Sequence, residues 1–291
     1  MKTIFKSIAI YILLIICFVL FNYAAAMIPQ TLVRENMTES AGYLCEDIVF
    51  PQVIDGVKAT TIDRYADSIT CNIAWNLGEG ETVGICVREA LRIFDEKEYE
   101  GEVIVVDNAS DDDSASVAEN AGAKVIREEN RGYGNALRRG LKEVSGDVIV
   151  LMDADTTYSF DDIPAVALPI INGECDMVIG NRFGGMEKGA MSLSHRVGVR
   201  FLSAAARSKF RCTINDFHCG IRAVSKEALE RLDFKTTGME FATEMIAEAC
   251  KKGLKIGEVP VKLKRCEYNR KTKLRTIRDG FRHLFFIFFQ L

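Results

Sequence analysis

Three groups of residues in this chain have the types and spacing to do chemistry. The first is Asp107-Asn108-Ala109-Ser110-Asp111-Asp112-Asp113-Ser114, directly after the apolar run Val103–Val106. Carboxylates and amides on a strand-end loop can accept hydrogen bonds from a nucleobase or a ribose. Asp and Ser are also preferred helix N-caps, so this cluster is expected to supply both a cap and ligands. The second is Arg131-Gly132-Tyr133-Gly134-Asn135-Ala136, at a loop-to-helix junction. Glycines let backbone approach a ligand closely, and a helix N-terminus favours a phosphate. Arg131 can add a charge-assisted bond. Leu137 stands where a dinucleotide fingerprint needs its third glycine, so this is not that motif. The third is Asp153-Ala154-Asp155, after Val148-Ile149-Val150-Leu151-Met152. Two carboxylates one residue apart can hold a hard divalent cation that grips a diphosphate. The cation neutralises charge building on a leaving nucleoside diphosphate. In isolation such a tripeptide usually marks a solvated turn; its position behind a strand, after two similar loops, gives it weight.

The elements that carry these groups follow from periodicity. Val83, Cys86, Val87, Ala90, Leu91 and Phe94 have helical spacing within Thr82–Phe94. Glu102–Val106, Ala123–Ile126 and Asp147–Met152 read as short buried strands, with helices over Ser114–Ala121 and Ala136–Val144 between and after them. Strands apolar throughout and alternating with helices predict an α/β fold whose mostly parallel sheet is covered on both faces. Ligands of such sheets gather at the carboxyl ends of the strands, which is where the three groups fall.

Together and in this order, the three groups resemble glycosyltransferase family 2 and its GT-A nucleotide-sugar-binding fold. The likeness runs from about Gly78 to Leu291. It continues in Gly180-Asn181-Arg182-Phe183, Asp216-Phe217-His218-Cys219-Gly220-Ile221-Arg222, Gly238-Met239-Glu240-Phe241-Ala242-Thr243-Glu244 and Glu258-Val259-Pro260. That set is similar to the branch holding dolichol-phosphate mannose synthase and bacterial polyprenyl-phosphate sugar transferases. The resemblance implies that Asp107 meets the nucleobase and Asp112 the nucleoside, with Asn108 also among the nucleotide-sugar-binding residues. Arg131, Gly132 and Gly134 would line the ribose and diphosphate, with Glu79 and Arg182 also on the donor side. Asp155, more than Asp153, would ligate Mg²⁺ or Mn²⁺. Asp216 would sit by the acceptor as base or orienting group. Arg222 and Glu244 would shape the acceptor side, and the basic run from Arg265 to Arg275 would meet phosphates. For each of these residues an ion pair or a helix cap is the structural alternative.

The chain departs from the family pattern at both ends. Gly78 occupies the place of an expected asparagine, and Ser68–Ala74 is a poor substitute for a central apolar strand, although Ile69, Cys71 and Ile73 alternate. The expectation is therefore a transferase lacking its first strand, joined to a foreign N-terminus. Lys2 and Lys6 precede an uncharged run from Ser7 to Gln30, long enough to cross a bilayer; Ala24-Ala25-Ala26 keeps a cleaved signal peptide open as the alternative. Its flanking lysines favour export of the downstream chain, whereas nucleotide sugars place the catalytic domain at the cytoplasmic face. Leu284–Phe289 reads as the start of a further membrane segment.

The chain thus divides into a membrane anchor (1–30), a segment without assignable chemistry (31–76), the GT-A domain (77–264) and a basic, membrane-adjacent tail (265–291). Net charge is −4, which does not suggest a nucleic-acid partner. Nine cysteines without a C-x-x-C pair argue against a disulfide framework, and Cys212, His218 and Cys219 fit no standard zinc spacing. The expected partners are a UDP- or GDP-linked sugar, a polyprenyl phosphate or other lipid-linked acceptor, and a membrane. The expected reaction is metal-dependent hexosyl transfer with inversion. Two rival readings are a catalytically inactive, membrane-anchored fusion and nucleotidyl transfer on a similar sheet.

Overall fold

The computed structural model describes residues 68–75, 80–265 and 276–289. Its elements in chain order are β1 (Ser68–Trp75), α1 (Gly80–Glu96), β2 (Glu100–Asp107), α2 (Ser114–Asn120), β3 (Lys124–Arg127), α3 (Tyr133–Leu141), β4 (Val148–Asp153), α4 (Ile163–Ile171), β5 (Met177–Met186), α5 (Leu193–Phe210), β6 (Arg222–Ser225), α6 (Phe241–Lys251), β7 (Ile256–Leu263) and α7 (Thr276–Phe289). The strands form one sheet in the order β3-β2-β1-β4-β6-β5-β7. Only β6 runs against its neighbours β4 and β5. The α/β fold with a mostly parallel sheet is therefore as expected.

Both faces of the sheet are covered, which explains why its strands are apolar at consecutive positions. Val103 and Val105 of β2 join the main core with Val83, Val87 and Ala90 of α1. Ile104 and Val106 point the other way and pack with Ala136 of α3. Helix α3 begins three residues before the expected Ala136 and ends at Leu141.

The expected absence of the first strand is corrected. Strand β1 pairs in parallel with β2 on one side and β4 on the other, so it lies inside the sheet. The sheet consequently begins before the boundary expected at residue 77. Ile69 and Cys71 are buried. Two polar residues that weaken this run as a strand, Ser68 and Thr70, have partners. The hydroxyl of buried Thr70 donates to Glu102 Oε1 (3.2 Å) and accepts from the amide of Gly146 (2.8 Å). The hydroxyl of Ser68 donates to Asp147 Oδ2 at 3.1 Å.

Helix α7 is amphipathic. It buries Leu284, Phe286 and Ile287 and exposes Phe285, Phe288 and Phe289. Among the described residues no helix is long and apolar enough to cross a membrane. The anchor expected at 1–30, and Glu79 and Arg275, lie outside the described residues.

A central β1 makes Ile69 a core residue, 2% exposed. Ile69→Ala is expected to destabilise the protein by about 2–5 kcal/mol, read from urea unfolding. A loss below about 0.5 kcal/mol, the size of a surface substitution, would take β1 out of the core.

Candidate functional site

The register of β1 sets the site. Its Trp75 stands level with Asp107, the last residue of β2, and its Ala74 stands level with Asp153, the last residue of β4. The two acids therefore end neighbouring strands of β1, two interstrand spacings or roughly 10 Å apart.

The loop after β2 is closed by its own polar groups. Asp107, buried, accepts from the amide of Ser110 at 2.9 Å, and Ala109 turns through a positive φ of 56°. The amide of Gly132 donates to Asn108 Oδ1 at 2.7 Å, and Asn108 Nδ2 donates to the carbonyl of Asn130 at 3.0 Å. Arg131 donates to the carbonyl of Ala109 and to Asp111. The first two groups of the sequence are thus joined in space. Asp112 accepts from the amide and hydroxyl of Ser114, at the start of α2, whose N-cap Asp113 makes no side-chain capping bond.

The glycines of the second group are needed for a close approach to protein backbone. Gly132 has φ 152°, and a Cβ there would stand 2.3 Å from the carbonyl oxygen of Thr237. A Cβ on Gly134 would stand 2.6 Å from that of Thr236. The amides of Gly134 and Asn135 both donate to the Thr237 carbonyl, at 3.0 and 3.3 Å. The amides expected to greet a phosphate at the start of α3 hold this strap instead.

Asp153 and Asp155 follow β4. The Tyr133 hydroxyl hydrogen-bonds Asp153, and desolvation, then the nearby carboxylate, push its pKa upward. Gly220 lies so close that a Cβ would stand 2.2 Å from Asp153 Oδ2. Asp155 Oδ1 accepts from the amide of Thr157 at 3.0 Å and from its hydroxyl. Thr82, at the start of α1, donates to the carbonyl of Ala154 at 2.7 Å and fixes the turn from behind. Among the described residues no group of three or more His, Cys, Asp or Glu could hold a metal by itself. Two carboxylates suit Mg²⁺ or Mn²⁺ completed by substrate phosphates and water.

Beside this turn lies a buried ion pair. Arg182 donates to Asp216 through Nε and Nη2, both at 2.7 Å. The amides of Arg182 and His218 also donate to Asp216, at 3.2 Å each, so both carboxylate oxygens accept two bonds. Arg182 Nη1 donates to the Tyr158 hydroxyl, which also accepts from the Gly220 amide. In this state Arg182 faces Asp216, and four hydrogen bonds fix the Asp216 carboxylate. Glu258 accepts from the amides of Asn215 and Asp216, both at 2.8 Å, and so presents Asp216. Glu258 sits in the Glu-Val-Pro motif, which was the available sign of its role.

Two of the residues expected on the acceptor side, Arg222 and Glu244, bond to neighbouring backbone. Arg222, 2% exposed, donates to the carbonyls of Ala242 and Cys219 and ties β6 to α6. Glu244 accepts from the amides of Lys235 and Thr236 and from the Thr236 hydroxyl, holding the strap. Arg265 is exposed, with its amide donating to Glu187.

Sequence reasoning missed a histidine cluster. His218 and His283 meet edge to face, with ring centroids 4.5 Å apart. The Thr243 hydroxyl lies 2.9 Å from His283 Nδ1 and 3.4 Å from His218 Nε2. Burial lowers His283 to about 4, and burial followed by the neighbouring His283 holds His218 well below its usual range.

The sequence pattern of glycosyl transferase family 2 matches residues 74–233. The chain is similar to the low-salt glycan biosynthesis hexosyltransferase Agl6 of Haloferax volcanii, at 35% identity over 213 residues, covering 72% of this chain and 51% of Agl6. It therefore spans about half the length of that relative. A dolichyl-phosphate hexose transferase of the same organism is 30% identical over 205 residues, covering 69% of this chain and 85% of that protein. Among solved structures, glucosyl-3-phosphoglycerate synthase from Mycobacterium tuberculosis, in complex with Mn²⁺, UDP-glucose and phosphoglyceric acid, superposes with a TM-score of 0.59. The two are 25% identical, and the match covers 76% of this chain and 79% of the synthase.

Two outcomes are expected from the buried ionisable groups. Arg182→Met leaves Asp216 buried without its partner and is expected to cost about 3–5 kcal/mol in urea unfolding; a loss below about 1 kcal/mol would mean that the pair is exposed. The two histidines are neutral in the fold, whereas in the unfolded chain they titrate near about 6.5. Between that pH and about 4, where His283 titrates in the fold, the unfolded chain binds more protons. Stability is therefore full above the upper value and falls as the pH drops through this window. Melting temperatures across the window should fall less in His283→Gln than in wild type; equal falls would contradict the assignment.

Proposed function

The chain belongs to glycosyl transferase family 2, and on that premise we propose that it transfers a hexose from a nucleoside-diphosphate sugar to a polyprenyl phosphate at a membrane surface. The observation that carries this reading is the row of strand ends in which Asp107 and Asp153 flank β1. One end of the row suits a nucleobase. At the other, Asp153 and Asp155 suit a Mg²⁺ or Mn²⁺ ion bound to the diphosphate.

The ion supplies charge neutralisation on the leaving nucleoside diphosphate. Asp107 and Asn108 orient the nucleoside, and Arg131, already at the Ala109 carbonyl, lies on the same loop pair. Asp216, fixed by Arg182 and Glu258, orients the acceptor. A lipid phosphate oxygen is already ionised near neutral pH, so alignment matters more than a general base. A single in-line displacement inverts the sugar carbon.

Three observations support a lipid-linked acceptor. One relative is named for dolichyl phosphate. Phe285, Phe288 and Phe289 project from α7, and the sequence around it is rich in Lys and Arg, a composition suited to an anionic bilayer surface. The catalytic domain would then lie on the cytoplasmic face, where nucleotide sugars are made. The inactive-fusion reading drew on a missing first strand, and β1 removes that ground.

Calorimetric titration of the full chain with UDP-glucose and GDP-mannose, with and without Mn²⁺, tests the donor half. One donor should bind in a metal-dependent way, and Asp155→Ala should weaken it by at least roughly tenfold. Equal binding with and without metal, unchanged in the variant, would contradict the assignment of Asp155.

A further inference from the structure

The strap that covers the start of α3 is held from behind by an ion pair between the residue that precedes α6 and helix α7. On its donor-side face, the Thr237 carbonyl takes the amides of Gly134 and Asn135, and Arg138 Nη1 donates to the carbonyl of Lys235 at 3.3 Å. On its far side, the amide of Gly238 donates to Glu240 Oε1 at 3.3 Å. The same oxygen accepts from Arg282 Nη2 of α7 at 2.6 Å. Gly238 is wedged beside this pair. A Cβ there would stand 2.6 Å from Arg282 Nη2 and 2.7 Å from Glu240 Oε2.

Glu240 is an expensive choice for a bracket. It is 5% exposed, and its Oε2 is buried with no hydrogen-bond partner among the described residues. A buried acceptor left unpaired costs stability, and a neutral side chain could accept from the Gly238 amide without that cost. What the charge adds is the bond to Arg282, which fixes α7 against the strap. From Arg282 the path is short: Glu240, Gly238, the Thr237 carbonyl, then the amides that open α3 and the Gly132 backbone bonded to Asn108. Helix α7 is also the helix whose outer face carries Phe285, Phe288 and Phe289.

We propose that Glu240 and Arg282 are positioning residues for the donor: their ion pair holds the 235–238 strap against the Gly132–Asn135 turn and thereby sets the affinity for the nucleoside diphosphate. This rests on the donor site proposed above. It assigns neither residue a contact with substrate. It also makes the seating of α7 and the shape of the donor loop a single mechanical unit.

The test is calorimetric titration of the full chain with UDP and with GDP in the presence of Mn²⁺, alongside melting temperatures without nucleotide. Glu240→Gln and Arg282→Met should each weaken nucleotide binding by about tenfold, a usual size for coupling between separate sites. The double variant should lose no more than either single one, because both abolish the same ion pair. Arg282→Lys, which keeps the charge, should recover most of the affinity. Gly238→Ala, which keeps both charges and displaces the pair, should behave like Glu240→Gln. Wild-type affinity in folded Glu240→Gln and Arg282→Met, whatever their melting temperatures, would show a purely structural bracket and overturn the inference. Should the folded wild-type chain bind neither nucleotide, the donor reading itself falls, and this inference with it.

Discussion

In a parallel sheet, the register of a central strand fixes where its neighbours end. Here β1 pairs residue for residue with β2 and β4, from Ser68 to Trp75 on one side and from Ile69 to Ala74 on the other. The last residues of those neighbours are Asp107 and Asp153. One strand therefore sets the separation of Asp107 from Asp153, the proposed nucleobase and metal ends of the site. Sliding β1 by one residue would move Ile69 and Cys71 out of the core, so the spacing of the site is enforced by burial of apolar side chains far from any ligand.

Around that row, buried charges do the fine placement. Asp216 receives four hydrogen bonds, two from the Arg182 guanidinium and two from amides. Glu258 grips the backbone that carries it. Such groups are costly to bury and rigid once paired. Glu244 and Glu240 treat the strap in the same way, each accepting from strap amides. Glu240, Glu244 and Glu258 thus hold backbone in place by accepting from its amides.

Much of the first half of the fold was legible because its signals are local. The strands through Asp107 and Asp153 and the helices between them declare themselves by period within a few residues. Strand β1 did not, because Thr70 reads as a flaw until its partners Glu102 and Gly146 are seen, 32 and 76 residues away. The glycines at 132 and 134 announced a close approach, but not that the approaching group is the Thr236–Thr237 backbone. Arg182, Arg222 and Glu244 look like ligands in a sequence, since burial and a partner 34 residues distant, as Asp216 is from Arg182, leave no local mark. The histidine cluster joins α6, α7 and the loop before β6, a meeting that no single stretch of chain encodes.

The most direct test of the central claim is transfer itself. The full chain would be incubated with Mn²⁺, radiolabelled UDP-glucose or GDP-mannose, and a short-chain polyprenyl phosphate, and the label extracted into organic solvent. The account predicts organic-phase label from one donor, dependent on both metal and polyprenyl phosphate and absent in Asp155→Ala. Label that stays in the aqueous phase for both donors, with a folded chain that binds one of them, would contradict a lipid-phosphate acceptor.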